Sequence, residues 1–132
     1  MTAYSSSFHA IEWRGESLHL LDQRVLPHTH QVLDYTTAAE VADAIREMVV
    51  RGAPAIGISA AYGYALDALA GRDLDQAYKV LAESRPTAVN LFWALDRMRS
   101  VARSHTPGSV ETMKAALLDE AHSIYHEDDA LC

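Results

Sequence analysis

The sequence predicts an α+β fold, a small N-terminal antiparallel β-meander followed by a bundle of about five helices. Two observations carry that reading. Before residue 36 the apolar residues fall in short β-prone runs separated by turn residues. From Thr37 onward they recur at helical spacing and are punctuated by Gly and Pro breaks near 51–54, 71, 85–86 and 106–108. With no internal repeat or low-complexity tract, the 132 residues fit one domain or one large part of a two-domain chain.

The elements follow in order. His9–Arg14 and Ser17–Asp22 flank Gly15–Glu16 as a hairpin, with Ile11 and Trp13 on one face and Leu18 and Leu20 on another. Gln31–Tyr35 supplies a third strand, after a proline at position 27 interrupts regular structure. Thr37 and Glu40 form a capping box, and Val41, Ala44, Ile45 and Met48 make one apolar stripe behind it. At Arg51-Gly52-Ala53-Pro54, Gly52 suits the residue just past a helix end and Pro54 suits the first turn of the next helix, which runs to Leu69 and stops at Gly71. Asp73 caps a third helix ending near Ser84. Arg85-Pro86-Thr87 precedes a fourth, whose Val89, Phe92, Trp93, Leu95 and Met98 read as a core stripe. Thr106-Pro107-Gly108 opens a last helix toward Glu127. Residues 1–35 are thus expected to form a meander packed on a helical domain spanning 36–132.

Composition excludes several classes. A net charge of −7 without any basic run argues against a nucleic-acid partner. Cys132 stands alone, which rules out an intrachain disulfide and suits a reducing compartment. Met1–Phe8 has no basic start or apolar run like those of a signal peptide. The 53–70 stretch carries Asp67 and is built from Ala and Gly, as a buried helix would be and a membrane span would not. The expectation is a cytoplasmic protein without membrane contact.

Chemistry concentrates at two helix junctions. In Val50-Arg51-Gly52-Ala53-Pro54-Ala55-Ile56-Gly57, a glycine turn feeds a helix N-terminus, where unpaired amides and the positive dipole end attract anions. The donors would be Gly52, Ala53 and Ala55, and Arg51 can add a bidentate grip on phosphate. Arg85-Pro86-Thr87-Ala88-Val89-Asn90 repeats the design, and the two junctions converge on one anion if their helices are neighbours. Taken alone, each also fits an ordinary turn with an exposed arginine. Elsewhere, His122 and His126 share a helix face without a third metal ligand and read as surface histidines. His28 and His30 follow a proline in a loop, and Cys132 sits among acids that oppose thiolate formation.

Residues 50–57 and Ser84-Arg85-Pro86-Thr87-Ala88-Val89-Asn90-Leu91 resemble two signature stretches of methylthioribose-1-phosphate isomerases, as do Leu21–Pro27 and Ala60-Ala61-Tyr62-Gly63. The resemblance covers nearly the whole chain, in the family's order. It implies a superfamily shared with ribose-1,5-bisphosphate isomerases and regulatory subunits of the eukaryotic initiation factor two-B exchange factor. It further implies a helical N-terminal domain that packs on a Rossmann-like C-terminal domain with the active site between them. Arg51, Gly52, Ala53 and Arg85 would hold the substrate phosphate. The implied reaction is aldose-ketose isomerisation of 5-methylthioribose 1-phosphate to 5-methylthioribulose 1-phosphate in methionine salvage, with no metal or organic cofactor. The family's catalytic Cys and Asp motifs, both in its C-terminal domain, do not occur in these residues. The chain is therefore expected to carry phosphate-binding groups without catalytic residues, to be inactive alone, and to self-associate, as a dimer, through the uncovered face. The alternatives are a non-catalytic regulatory or ligand-binding module, and a relative of ribose-1,5-bisphosphate isomerase.

Overall fold

A computed structural model describes residues 11–22, 24, 31–50, 52–105 and 110–131. Strands β1 (Ile11–Arg14), β2 (Ser17–Leu21) and β3 (Val32–Tyr35) form an antiparallel sheet in chain order. Gly15, at φ +69°, turns the first hairpin. Ile11 pairs with Leu20, Trp13 with Leu18, Leu20 with Leu33 and Leu18 with Tyr35. Directly opposed residues of an antiparallel ladder point to the same side. The two apolar pairs expected on separate faces therefore share one, with Leu33 and Tyr35 beside them.

Five helices follow among the described residues: α1 (Ala38–Arg46), α2 (Ala53–Leu69), α3 (Leu74–Ala82), α4 (Val89–Arg103) and α5 (Val110–Leu131). The last continues beyond the expected Glu127, and the Thr-Pro-Gly signal at 106–108 lies outside the described residues. The core is organised around α2, which contacts all four other helices and is buried at every residue from Ile56 to Ala68. A helix apolar all round belongs in an interior, and no described helix is long and apolar enough to cross a membrane. Gly63 makes room for its neighbours: a Cβ there would lie 3.1 Å from Val41 on α1 and 3.2 Å from Leu81 on α3.

Helix ends account for one departure from expectation. α1 stops at Arg46, five residues before the break anticipated at Arg51. Its last carbonyls are satisfied by Met48 N–H to Ile45 (3.2 Å) and Val49 N–H to Ala44 (2.9 Å), with Met48 itself left-handed at φ +67°. This is a Schellman ending with methionine where glycine is usual, so Met48 leaves the apolar stripe and is exposed while Val49 and Val50 are buried. Gly52 is therefore not the terminator of α1; it occupies the N-cap position of α2 without a side chain to cap it. At the other end of α2 the same ending occurs with Gly71 (φ +75°), through Gly71 N–H to Ala68 and Arg72 N–H to Asp67. The Asp67 carboxylate in turn accepts the Ala38 amide at 2.8 Å, tying α2 to the start of α1.

Candidate functional site

The helices start in two different ways. α1 is capped by Thr37, which accepts from the Glu40 amide at 3.0 Å, while the Glu40 carboxylate reaches back to the Thr36 amide at 2.8 Å. α3 is capped by Asp73, which accepts from Asp75 and Gln76. Both helices carry an acidic residue in the first turn, as does α5. α2 and α4 have neither device. Their N-caps are Gly52 and Ala88, which offer no side-chain hydrogen bond, and their first turns hold no acid. The first intrahelical bonds come from Ile56 to Gly52 and from Phe92 to Ala88. The amides ahead of them at Gly52, Ala53 and Ala55, and at Val89, Asn90 and Leu91, have no partner within their helices. Among the described residues, neither positive dipole end has a side-chain cap or a first-turn acid of its own.

These two starts lie against each other. A Cβ on Gly57 would fall 2.9 Å from the Asn90 carbonyl oxygen, so only glycine lets α2 approach the first turn of α4 this closely. Pro54 and Gly57 of α2 line, with Val89, Asn90 and Trp93 of α4, one cavity of about 430 Å3 that Ile58, Ile124 and Glu127 complete. Among the small residues of α2, Gly57 is the one that admits the α4 backbone.

Of the residues singled out in the sequence, Gly52 is the N-cap of α2, at φ +95° and ψ 136°. A side chain there would be strained whatever the surrounding space. Ala53 is the first residue of α2, and Arg51 lies outside the described residues. Arg85 is half-buried, and its carbonyl accepts from the Ala88 amide at 3.0 Å in the turn that launches α4. Arg14, Arg24, Arg46, Arg72, Arg97 and Arg99 each pair with a carboxylate. Among the described residues Arg85 pairs with none, a condition shared by Arg103 at the far end of α4. Thr87 does not cap α4.

His122, expected at the surface, is instead half-buried. Its Nδ1 lies 2.7 Å from the Tyr62 hydroxyl, and the Tyr62 ring stacks on Trp13 with centroids 5.3 Å apart. Burial lowers the His122 pKa, with His126 adding to the effect, and burial raises the Tyr62 hydroxyl well above the ordinary tyrosine range. Tyr125 donates to the Ile11 carbonyl at 2.9 Å, so this aromatic group fastens the sheet to α2 and α5. No group of three or more His, Cys, Asp or Glu among the described residues could hold a metal ion. His28, His30 and Cys132 lie outside the described residues.

The family model described as the Initiation factor 2 subunit family matches residues 49–132, well over half of the chain and inclusive of both uncapped helix starts. The chain belongs to that family. It is 57% identical over 127 residues to the methylthioribose-1-phosphate isomerase of Azotobacter vinelandii, covering 90% of this chain and 35% of the relative. Its fold matches the crystal structure of 5-methylthioribose 1-phosphate isomerase from Pyrococcus horikoshii with a TM-score of 0.82 and 38% identity, over 89% of this chain and 36% of that one. It also matches translation initiation factor eIF-2B, subunit delta, from A. fulgidus, with a TM-score of 0.78 and 37% identity, over 92% and 37%. The chain thus spans about a third of the length of these family members.

Two features of the site escaped the sequence reading. Trp93, assigned to the core, is 50% exposed and walls the cavity, and Val89 is 78% exposed; the buried residues of α4 are Leu91, Ala94, Leu95 and Met98. The missing caps were visible in principle. Gly52-Ala53-Pro54-Ala55 and Ala88-Val89-Asn90-Leu91 contain no acid and no Ser, Thr or Asp at the cap, unlike Thr37–Glu40 and Asp73–Asp75.

Proposed function

We propose that this chain is the substrate-phosphate-binding portion of an aldose-ketose isomerase that converts 5-methylthioribose 1-phosphate to 5-methylthioribulose 1-phosphate. The observation that carries the reading is the pair of uncapped, acid-free helix starts at Gly52 and Ala88 meeting at Gly57 and Asn90. A dianionic phosphate bordered by both would receive amide hydrogen bonds and two favourable dipole ends, with Arg51 and Arg85 adding charge-assisted bonds. The methylthioribose-1-phosphate isomerases to which the chain is similar supply the substrate. Moving a proton between C1 and C2 of the sugar requires an acid–base pair, which we assign to a Rossmann-like domain packed on the helical domain. Such a site is that of a cytoplasmic metabolic enzyme, with a sugar phosphate as its partner and a dimer as its working form.

Arg51→Ala and Arg85→Ala in the protein that carries this sequence test the reading. Each loses a charge-assisted contact of roughly 1.5–3 kcal/mol, so inorganic phosphate and 5-methylthioribose 1-phosphate should both bind about ten- to a hundred-fold more weakly. Unchanged affinity in either variant removes that arginine from the site. The likeness to the A. fulgidus initiation-factor protein supports a second reading, a regulatory module that binds a phosphorylated ligand without turning it over. Tight phosphate-dependent binding with no isomerisation would favour it.

A further inference from the structure

We infer that the polar face at the C-terminal end of α4 is a second anion site, in which Arg99, Arg103 and the Ser100 hydroxyl hold the phosphoryl group of a small phosphorylated molecule. The inference goes beyond the reading above and does not rest on it.

Asp96, Arg99, Ser100, Arg103 and Ser104 recur at helical spacing and line one open cavity of about 400 Å3. Arg103 stands about 21 Å along the helix axis from Val89, at 1.5 Å per residue. A phosphate bound at the helix starts therefore cannot reach this cavity, and the two sites are separate.

Charge pairing singles out Arg103. Six of the described arginines pair with carboxylates, as expected of a chain with 18 acidic and 11 basic residues. The exceptions among the described residues are Arg85, assigned above to the first phosphate, and Arg103. A cation in the last turn also complements the helix dipole, but that role does not require a second arginine beside it. The carbonyls that would repel an anion there are already engaged. Ser104 donates its amide to the Ser100 carbonyl at 3.1 Å and its hydroxyl to the Val101 carbonyl at 2.7 Å, and the His105 amide donates to Ala102 at 3.4 Å.

Arg99 is fixed in advance. Its guanidinium lies 4.0 Å from the centroid of the Tyr78 ring on α3 and donates to Asp96 at 3.3 Å. The Tyr78 hydroxyl donates to the same Asp96 oxygen at 2.7 Å. A guanidinium seated on a ring keeps its remaining edge N–H groups for an acceptor in its own plane, and it loses little freedom when that acceptor arrives. Asp96 is the one carboxylate in the lining, so two arginines leave the cavity with a net positive charge. The Ser100 hydroxyl is exposed, has no protein partner among the described residues, and can donate as well. Two guanidinium forks and a hydroxyl offer more donors than a carboxylate can use, and they suit the three acceptor oxygens of a phosphoryl group.

The test is amide and arginine side-chain chemical-shift mapping of the protein that carries this sequence, titrated with pyrophosphate and, separately, with sodium chloride at matched ionic strength. Pyrophosphate should shift Ser100, Arg103 and Ser104 together, and should still do so in the Arg51→Ala, Arg85→Ala double variant. Arg99→Gln or Arg103→Gln should weaken that response roughly tenfold, the size expected for one lost charge-assisted bond, while leaving any response at Gly52 and Ala53 unchanged. Arg103→Lys should recover part of the loss, as a point charge without the fork. Shifts that sodium chloride reproduces would mean only screening of surface charge and would overturn the inference. So would the absence of shifts at these residues, or their loss in the double variant, which would leave a single anion site. A parent protein that responds here and not at Gly52 would count against the first phosphate site alone.

Discussion

His122 and Tyr62 illustrate what a single hydrogen bond at the sheet–helix junction does for the fold. The imidazole Nδ1 and the tyrosine hydroxyl are 2.7 Å apart, and burial lowers the histidine pKa below its ordinary 6.5. A lowered pKa means that the unfolded chain takes up a proton before the folded one does. Stability is therefore fully present above about pH 6.5 and declines as the pH falls below it toward the folded-state value. The expected outcome is a melting temperature that drops between pH 7 and pH 5, with His122→Asn flattening that part of the profile. A slope unchanged in His122→Asn would assign it to other groups. Asp22 acts in a separate window: its hydrogen bonds from Arg24 hold the carboxyl below its ordinary 3.8, so its contribution is lost only in stronger acid. Gly52 matters at this scale for its backbone alone. At φ +95°, Gly52→Ala forces a strained conformation of order 1–3 kcal/mol and should lower the melting temperature, although the added methyl has open space around it.

At the scale of elements, the approach of α2 to α4 decides whether the two helix starts form one site. Gly57→Ala sets two effects against each other. Alanine gains roughly 1 kcal/mol in helix propensity, but its Cβ meets the Asn90 carbonyl oxygen at 2.9 Å, and overpacking against backbone costs about 1–3 kcal/mol. The packing term wins, so thermal unfolding should occur several degrees lower and phosphate affinity should fall with it; a variant more stable than the parent would mean that the helices part without consequence. The elements themselves were legible because their signals are local. The capping box at Thr37, the aspartate cap at Asp73, the glycine stop at Gly71 and the hairpin at Gly15 each act within a few residues. The end of α1 was not legible, because Met48 adopts the left-handed conformation usually left to glycine so that Val49 and Val50 can reach the core. Trp93 was misplaced for a similar reason. Helical spacing identifies the apolar residues of α4 but does not say that α5 leaves one side of the helix open beside the helix starts.

For the whole molecule, the arrangement is one buried helix with partners on every side and a sheet fastened by Trp13 and Tyr125. The candidate site lies at the opposite end of α2 from its glycine stop, where α2, α4 and α5 border a common cavity. Both recurring junctions were visible in sequence as arginine-bearing breaks. That the two breaks adjoin was not, since it depends on a contact between residues 57 and 90. The measurement that tests the central claim most directly is amide chemical-shift mapping of the protein that carries this sequence, titrated with inorganic phosphate. The account predicts that Gly52, Ala53, Val89 and Asn90 shift together with a single affinity, and that Arg51→Ala or Arg85→Ala weakens the response of all four at once. Shifts confined to one of the two helix starts, or unaffected by either arginine, would contradict it.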